Sequence, residues 1–255
     1  MRKPFAVLTL GVLPALACGG SSEPTPAPAA TAAATAAAPA APAAGATTLS
    51  GKVSYEGAVP APEKVKTSAD PKCQAMHPQG LDKKVVDVNN GGLANVFVWL
   101  KSGVTGSYPA PATDVNLDQK GCEYHPHVLA FPAGSTVRVL NPDGVLHNVH
   151  MVGKVNPEAN KAMPKFKKQE DWKVEKPEWP IAVKCDAHPW MHAYWLSMDQ
   201  PYYAVTDADG NFKIDELPAG EYEVEVWHEV LGKSPQKVTI QGGQDTKVAW
   251  ELKKG

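Results

Sequence analysis

The run Cys185-Asp186-Ala187-His188-Pro189-Trp190-Met191 sets a thiol, an imidazole and a thioether at three-residue intervals. Well upstream, His147-Asn148-Val149-His150 offers further imidazole nitrogen. A thiolate, two imidazoles and a thioether suit a blue-copper centre, in which Cys and two His form a short trigonal plane and Met sits at a longer axial distance. Zinc accepts the first three donors, but a thioether suits it poorly. A stiffly held set of this kind changes little between Cu(I) and Cu(II), and little rearrangement means fast electron exchange.

Three of the donors fit on one tight loop, so the fourth must come from a distant strand. Gly134-Ser135-Thr136-Val137-Arg138-Val139-Leu140-Asn141 alternates as a half-buried strand does, and Pro142-Asp143-Gly144 then turns the chain toward His147. Trp179-Pro180-Ile181-Ala182-Val183-Lys184 reads as a second short strand that delivers Cys185 at its end. His125-Pro126-His127 is a further H-x-H pattern. An oxygen-reducing copper cluster needs several such pairs, so His125 and His127 are read as strand-edge residues, with a second metal site as the lesser alternative.

From about Thr113 to Asp199 the chain resembles a cupredoxin, and most closely an amicyanin, through His147-Asn148-Val149-His150 and Cys185-x-x-His188-x-x-Met191. The resemblance implies one type 1 copper held by His147, Cys185, His188 and Met191, with His150 outside the set. It makes Asn148 the clamp that fastens the cysteine loop. Ala187 stands where the amicyanin pattern has proline, and its backbone N–H is free to donate to the cysteine sulfur and raise the reduction potential. The family presents the edge of the second histidine in an apolar surface patch, here His188 with Pro189 and Trp190, as the exit for electrons. The implied role is electron transfer without catalysis, exchanging single electrons with redox proteins such as c-type cytochromes or a membrane respiratory complex. Copper storage or delivery is the alternative, and a copper-dependent reductase or oxidase ranks last.

The remainder of the 255 residues frames this segment. With 25 basic and 27 acidic residues the net charge is −2, which argues against nucleic-acid binding. Glycines and prolines punctuate short apolar runs, so an all-β fold is expected. Residues 1–18 carry a basic start, an apolar run and a small-residue site at Cys18. That pattern resembles a bacterial lipoprotein signal, with Cys18 acylated and the protein held in the cell envelope, periplasmic or at the outer membrane. Residues 19–48, rich in Ala and Pro, read as a tether. Residues 49–111 and 200–255 resemble a carboxypeptidase regulatory-like, transthyretin-type β-sandwich of structural or adhesive role, into which the copper segment 112–199 is inserted; tandem domains are the other layout. In it Glu225, His228 and Glu229 read as solvated strand residues, and Asp207-x-Asp209-Gly210 as a β-turn. In an oxidising compartment Cys73 and Cys122 could pair as a disulfide or stand as buried thiols.

Overall fold

The computed structural model describes residues 47–106, 108 and 113–254. Cys18, the expected signal and the tether up to residue 46 lie outside the described residues. Residues 47 and 48, expected in the tether, already belong to the first strand. The described chain is all-β apart from one helix, Pro71–Met76, and its strands build two pairs of facing sheets and a small two-stranded one, Glu63–Val65 with Leu81–Lys83.

In the first pair the strand Thr47–Glu56 is central. It pairs antiparallel with Asn211–Leu217, parallel with Thr246–Lys253 and antiparallel with Gly92–Leu93. The facing sheet holds Tyr203–Val205, Phe97–Ser102, Gly220–His228 and Gly232–Ile240. Alternating residues meet between them: Leu49, Val53, Ile214 and Trp250 from one side, Val98, Val224 and Ile240 from the other. The turn at Asp207 is of the expected kind. Its carboxylate accepts the amides of Asp209 and Asn211, and Gly210 has φ +80°, where a Cβ would fall 2.3 Å from the Val53 carbonyl.

In the second pair, Asp114–Lys120, Glu123–His125, Thr136–Leu140 and Gln169–Lys173 face Val128–Pro132, His147–Val152, Ala159–Met163, Glu178–Lys184 and His192–Met198. Thr136–Leu140 buries only Val137 and Val139, the period-two pattern read from its sequence. These valines join Leu117, Val149, Ile181 and Trp195 in one core. Cys73 and Leu81 join that core too. Residues 63–83, expected to serve the flanking sandwich, thus pack against the sheets that carry the candidate ligands.

A third, aromatic cluster joins the two pairs: Phe97, Trp99 and Trp227 meet Val128, Leu196 and Met198, and Trp179 stands edge-on to Trp99 at 4.4 Å. This seam corrects one expectation. The end of the strand Gly220–His228 is covered on both faces, so Glu225 and His228 are buried rather than solvated. Burial pushes the His228 imidazole down to about 4.

Glu178 shows how a charge stabilises a loop here. Burial alone would push its carboxyl up, but the amides of Asn156 and Lys154 and the Asn156 side chain donate to it and leave it below the usual range. The carboxylate's contribution is therefore present above the unfolded value of about 4.5 and fades as pH falls through the lower folded value. Glu178→Gln should cost about 2 kcal/mol at neutral pH, with the deficit shrinking on acidification, as urea unfolding at several pH values would show.

Candidate metal centre

His147 opens the strand His147–Val152, and Cys185 follows directly on Glu178–Lys184. These strands pair antiparallel, with His150 opposite Lys184, so the two candidate ligands come from one end of adjacent strands. The loop after Cys185 is folded back tightly: the Met191 amide donates to the His188 carbonyl at 2.9 Å, and the Cys185 amide to the Met191 carbonyl at 3.1 Å. Cys185, His188 and Met191 are thereby gathered on one turn. All four side chains are buried, with His147 at 0%, Met191 at 1%, Cys185 at 2% and His188 at 3% exposure.

The donor atoms converge. His147 Nδ1 lies 3.0 Å from His188 Nδ1, and Cys185 Sγ lies 3.6 Å from the same His188 nitrogen. Nitrogen and sulfur donors about 2.0–2.3 Å from a shared ion need edges of roughly this length, so the three residues fit a copper ion. Burial pushes both imidazoles down, which keeps them neutral and their lone pairs available. Burial pushes the Cys185 thiol up, against the pull of the amides of Asn148, His188 and Ala187. Those amides are placed to favour the thiolate once a cation is bound.

Asn148 fastens the first three residues of the loop, Cys185 to Ala187. Its Oδ1 accepts the amides of Asp186 at 2.7 Å and Ala187 at 3.2 Å, its own amide points at Cys185 Sγ at 3.5 Å, and its Nδ2 donates to Asn160 at 2.7 Å. The Ala187 amide, expected on the sulfur, is directed first to Asn148 Oδ1. Asn148→Ala should cost the apoprotein about 1 kcal/mol, because the freed amides partly reach water, and should speed metal loss to a chelator. Calorimetric melting and a chelator time course measure the two effects. His150 faces away from the donors, bonded to Glu158 at 2.7 Å and Asp186 at 3.1 Å.

Two features of the site escaped the sequence. Asp143, read only as part of a turn, has Oδ2 3.1 Å from His147 Nε2 and accepts the amides of Gly121 and Cys122, both at 2.8 Å. A carboxylate behind a ligand imidazole fixes its tautomer, here leaving Nδ1 free for the ion. The second feature is the cover over His188. Cys73 and Cys122 are bonded to each other, and Cys73 Sγ lies 3.7 Å from His188 Nε2. The expectation that His188 shows its edge at the surface is therefore corrected: the helix Pro71–Met76 and its disulfide sit over it. Pro189 is exposed, but the Trp190 indole turns inward and donates to the Cys122 carbonyl at 3.0 Å. The exposed apolar side chains near the ligands are instead Leu146, at 50%, and Phe166, at 79%, which line one cavity with Lys72 and Lys165.

A family model described as polysaccharide lyase family 4, domain II, matches residues 178–248, a stretch that runs from the strand before Cys185 into the flanking sheets. No curated protein matches the chain. Among solved structures, part of the chain is similar to a purple cupredoxin from Nitrosopumilus maritimus, at 20% identity and TM-score 0.28 over 33% of this chain and all of that one. It is also similar to amicyanin from Paracoccus versutus, at 20% identity and TM-score 0.30 over 40% of this chain and 97% of that one. The Cu(I) form of an amicyanin point mutant gives the same identity and score, over 40% of this chain and 98% of that one. Likenesses this weak leave the copper reading to rest on the side chains described above.

Proposed function

We propose that the chain is a type 1 copper protein that carries single electrons, with the ion held by His147, Cys185, His188 and Met191. The observation that carries this reading is the convergence of two neutral buried imidazoles and a buried thiol, with His147 and His188 Nδ1 3.0 Å apart and a thioether on the same tight loop. When bound, copper would supply the one-electron Cu(I)/Cu(II) couple. The residues contribute stiffness: Asp143 fixes the His147 ring, Asn148 ties the loop to the strand, and Cys73 packs behind His188. A site held at both ends has little room to rearrange, which favours rapid exchange over catalysis.

Partner docking in this reading uses the Leu146–Phe166 surface rather than His188, since Leu146 neighbours a ligand and is half exposed. An apolar face permits brief contact without stripping water from charges. The wider reading keeps export, acylation at Cys18, a tether that ends before the strand Thr47–Glu56, and a copper domain of residues 112–199, joined by residues 63–83, set within a flanking sandwich built from the rest of 49–111 and 200–255. Redox proteins of the cell envelope, such as c-type cytochromes or a respiratory complex, would be the partners. Protein-film voltammetry tests the core of it. A reversible one-electron wave with fast self-exchange supports a carrier, whereas irreversible response with rapid copper loss to a chelator would support copper delivery instead.

A further inference from the structure

A second group of metal-binding side chains gathers on the other side of Met191. His127 follows the strand Glu123–His125, His192 begins His192–Met198, and Glu229 lies just past Gly220–His228 in the other pair of sheets. Glu229 Oε1 is 2.6 Å from His127 Nε2, and its Oε2 is 3.6 Å from His192 Nε2. The three groups each offer a ligand atom within 4.8 Å of the others. Glu229, expected to be solvated, has its side chain only 12% exposed.

The hydrogen bonds behind the rings give this cluster its meaning. His127 Nδ1 faces the His192 carbonyl at 3.2 Å, and His192 Nδ1 faces the Trp190 carbonyl at 3.1 Å. A nitrogen facing a carbonyl oxygen must carry the hydrogen, so both Nδ1 atoms donate outward and both Nε2 atoms are turned to the Glu229 carboxylate. A positive centre must lie between these nitrogens and the carboxylate, either a proton on the imidazole, as the 2.6 Å contact of His127 with Glu229 allows, or a metal ion in its place. Main-chain carbonyls pinning the outer nitrogens of paired imidazoles are the support that metal-ligating histidines commonly have. The rings of His127 and His192 stand nearly perpendicular, 4.9 Å apart, and Tyr194 lies edge-on to both. The group opens onto a cavity of about 420 Å³, which leaves room for further ligands.

We propose that His127, His192 and Glu229 form a second metal site, for a divalent borderline ion such as Zn(II), bound through two imidazoles and a carboxylate with a remaining position open to the cavity. The site is independent of the blue-copper reading, although His192 follows Met191 directly. Because Glu229 comes from a different pair of sheets than the histidines, the ion would tie the two pairs together and stabilise the folded chain by mass action.

The test is a Zn(II) titration of protein already saturated with one equivalent of copper, followed by calorimetry and by the imidazole NMR signals of His127 and His192. One further equivalent should bind, raise the melting temperature and move both sets of signals. Glu229→Gln and His127→Gln should each weaken it by about tenfold or more, with the copper absorption unchanged. No second equivalent, or one bound equally well by both variants, would overturn the proposal. If the variants do not fold, the wild-type signals decide, and Zn(II) uptake that leaves them in place counts against the site. If copper does not load, the same signals followed in the metal-free protein separate failure of the copper reading from failure of this one.

Discussion

Serine at both Cys73 and Cys122 should lower stability by about 4 kcal/mol, the loss of loop-closure entropy for a bridge spanning 49 residues. The strand Asp114–Lys120 and the sheet built on it hold one end, while the helix Pro71–Met76 has only Cys73 buried to hold the other. Removing the bond should therefore release the helix before it unfolds the sheets. The consequence reaches the metal site, because Cys73 covers the outer nitrogen of His188. We expect thermal unfolding to shift down by about 10 °C and bound copper to become accessible to chelators. A double variant within about 1 kcal/mol of the parent, with metal loss unchanged, would show that the segment is held by other contacts.

Asp143→Ala should lower copper affinity by about 10–100-fold. The carboxylate is the partner of His147 Nε2 and of two amides, so its removal lets the ring turn and strands the Gly121 and Cys122 N–H groups. Asparagine should be little better, since its NH2 would face either an amide N–H or the imidazole N–H. Competition with a copper chelator of known affinity measures the change. An affinity unchanged in both variants would mean that packing alone orients His147.

Much of this was legible in the residues. Alternation in Thr136–Leu140 and in Glu178–Lys184 announced strands, and the spacing of Cys185, His188 and Met191 announced a loop that could gather three donors. Spacing of this kind is local, and local geometry is what a sequence states most directly. Asp143 was hidden because turn formation already accounted for it, while its hydrogen-bond partners at 121 and 122 lie in the turn between two other strands, Asp114–Lys120 and Glu123–His125. The cover on His188 was hidden for a related reason: its burial comes from a segment more than a hundred residues earlier in the chain. The sequence did hold one unused signal there, Asp70-Pro71, an N-cap followed by proline at the first helical position. Glu225, His228 and Glu229 look like an ordinary polar strand end until Trp227 and Trp99 bring a second sheet against them. Only that packing turns Glu229 toward His127 and His192.

Copper K-edge X-ray absorption on the Cu(II)-loaded protein tests the central claim most directly. The expected first shell holds one short sulfur and two imidazole nitrogens, accompanied by an intense visible thiolate-to-copper band that disappears in a folded Cys185→Ser protein. A shell of nitrogen and oxygen only, in a colourless sample, would contradict it.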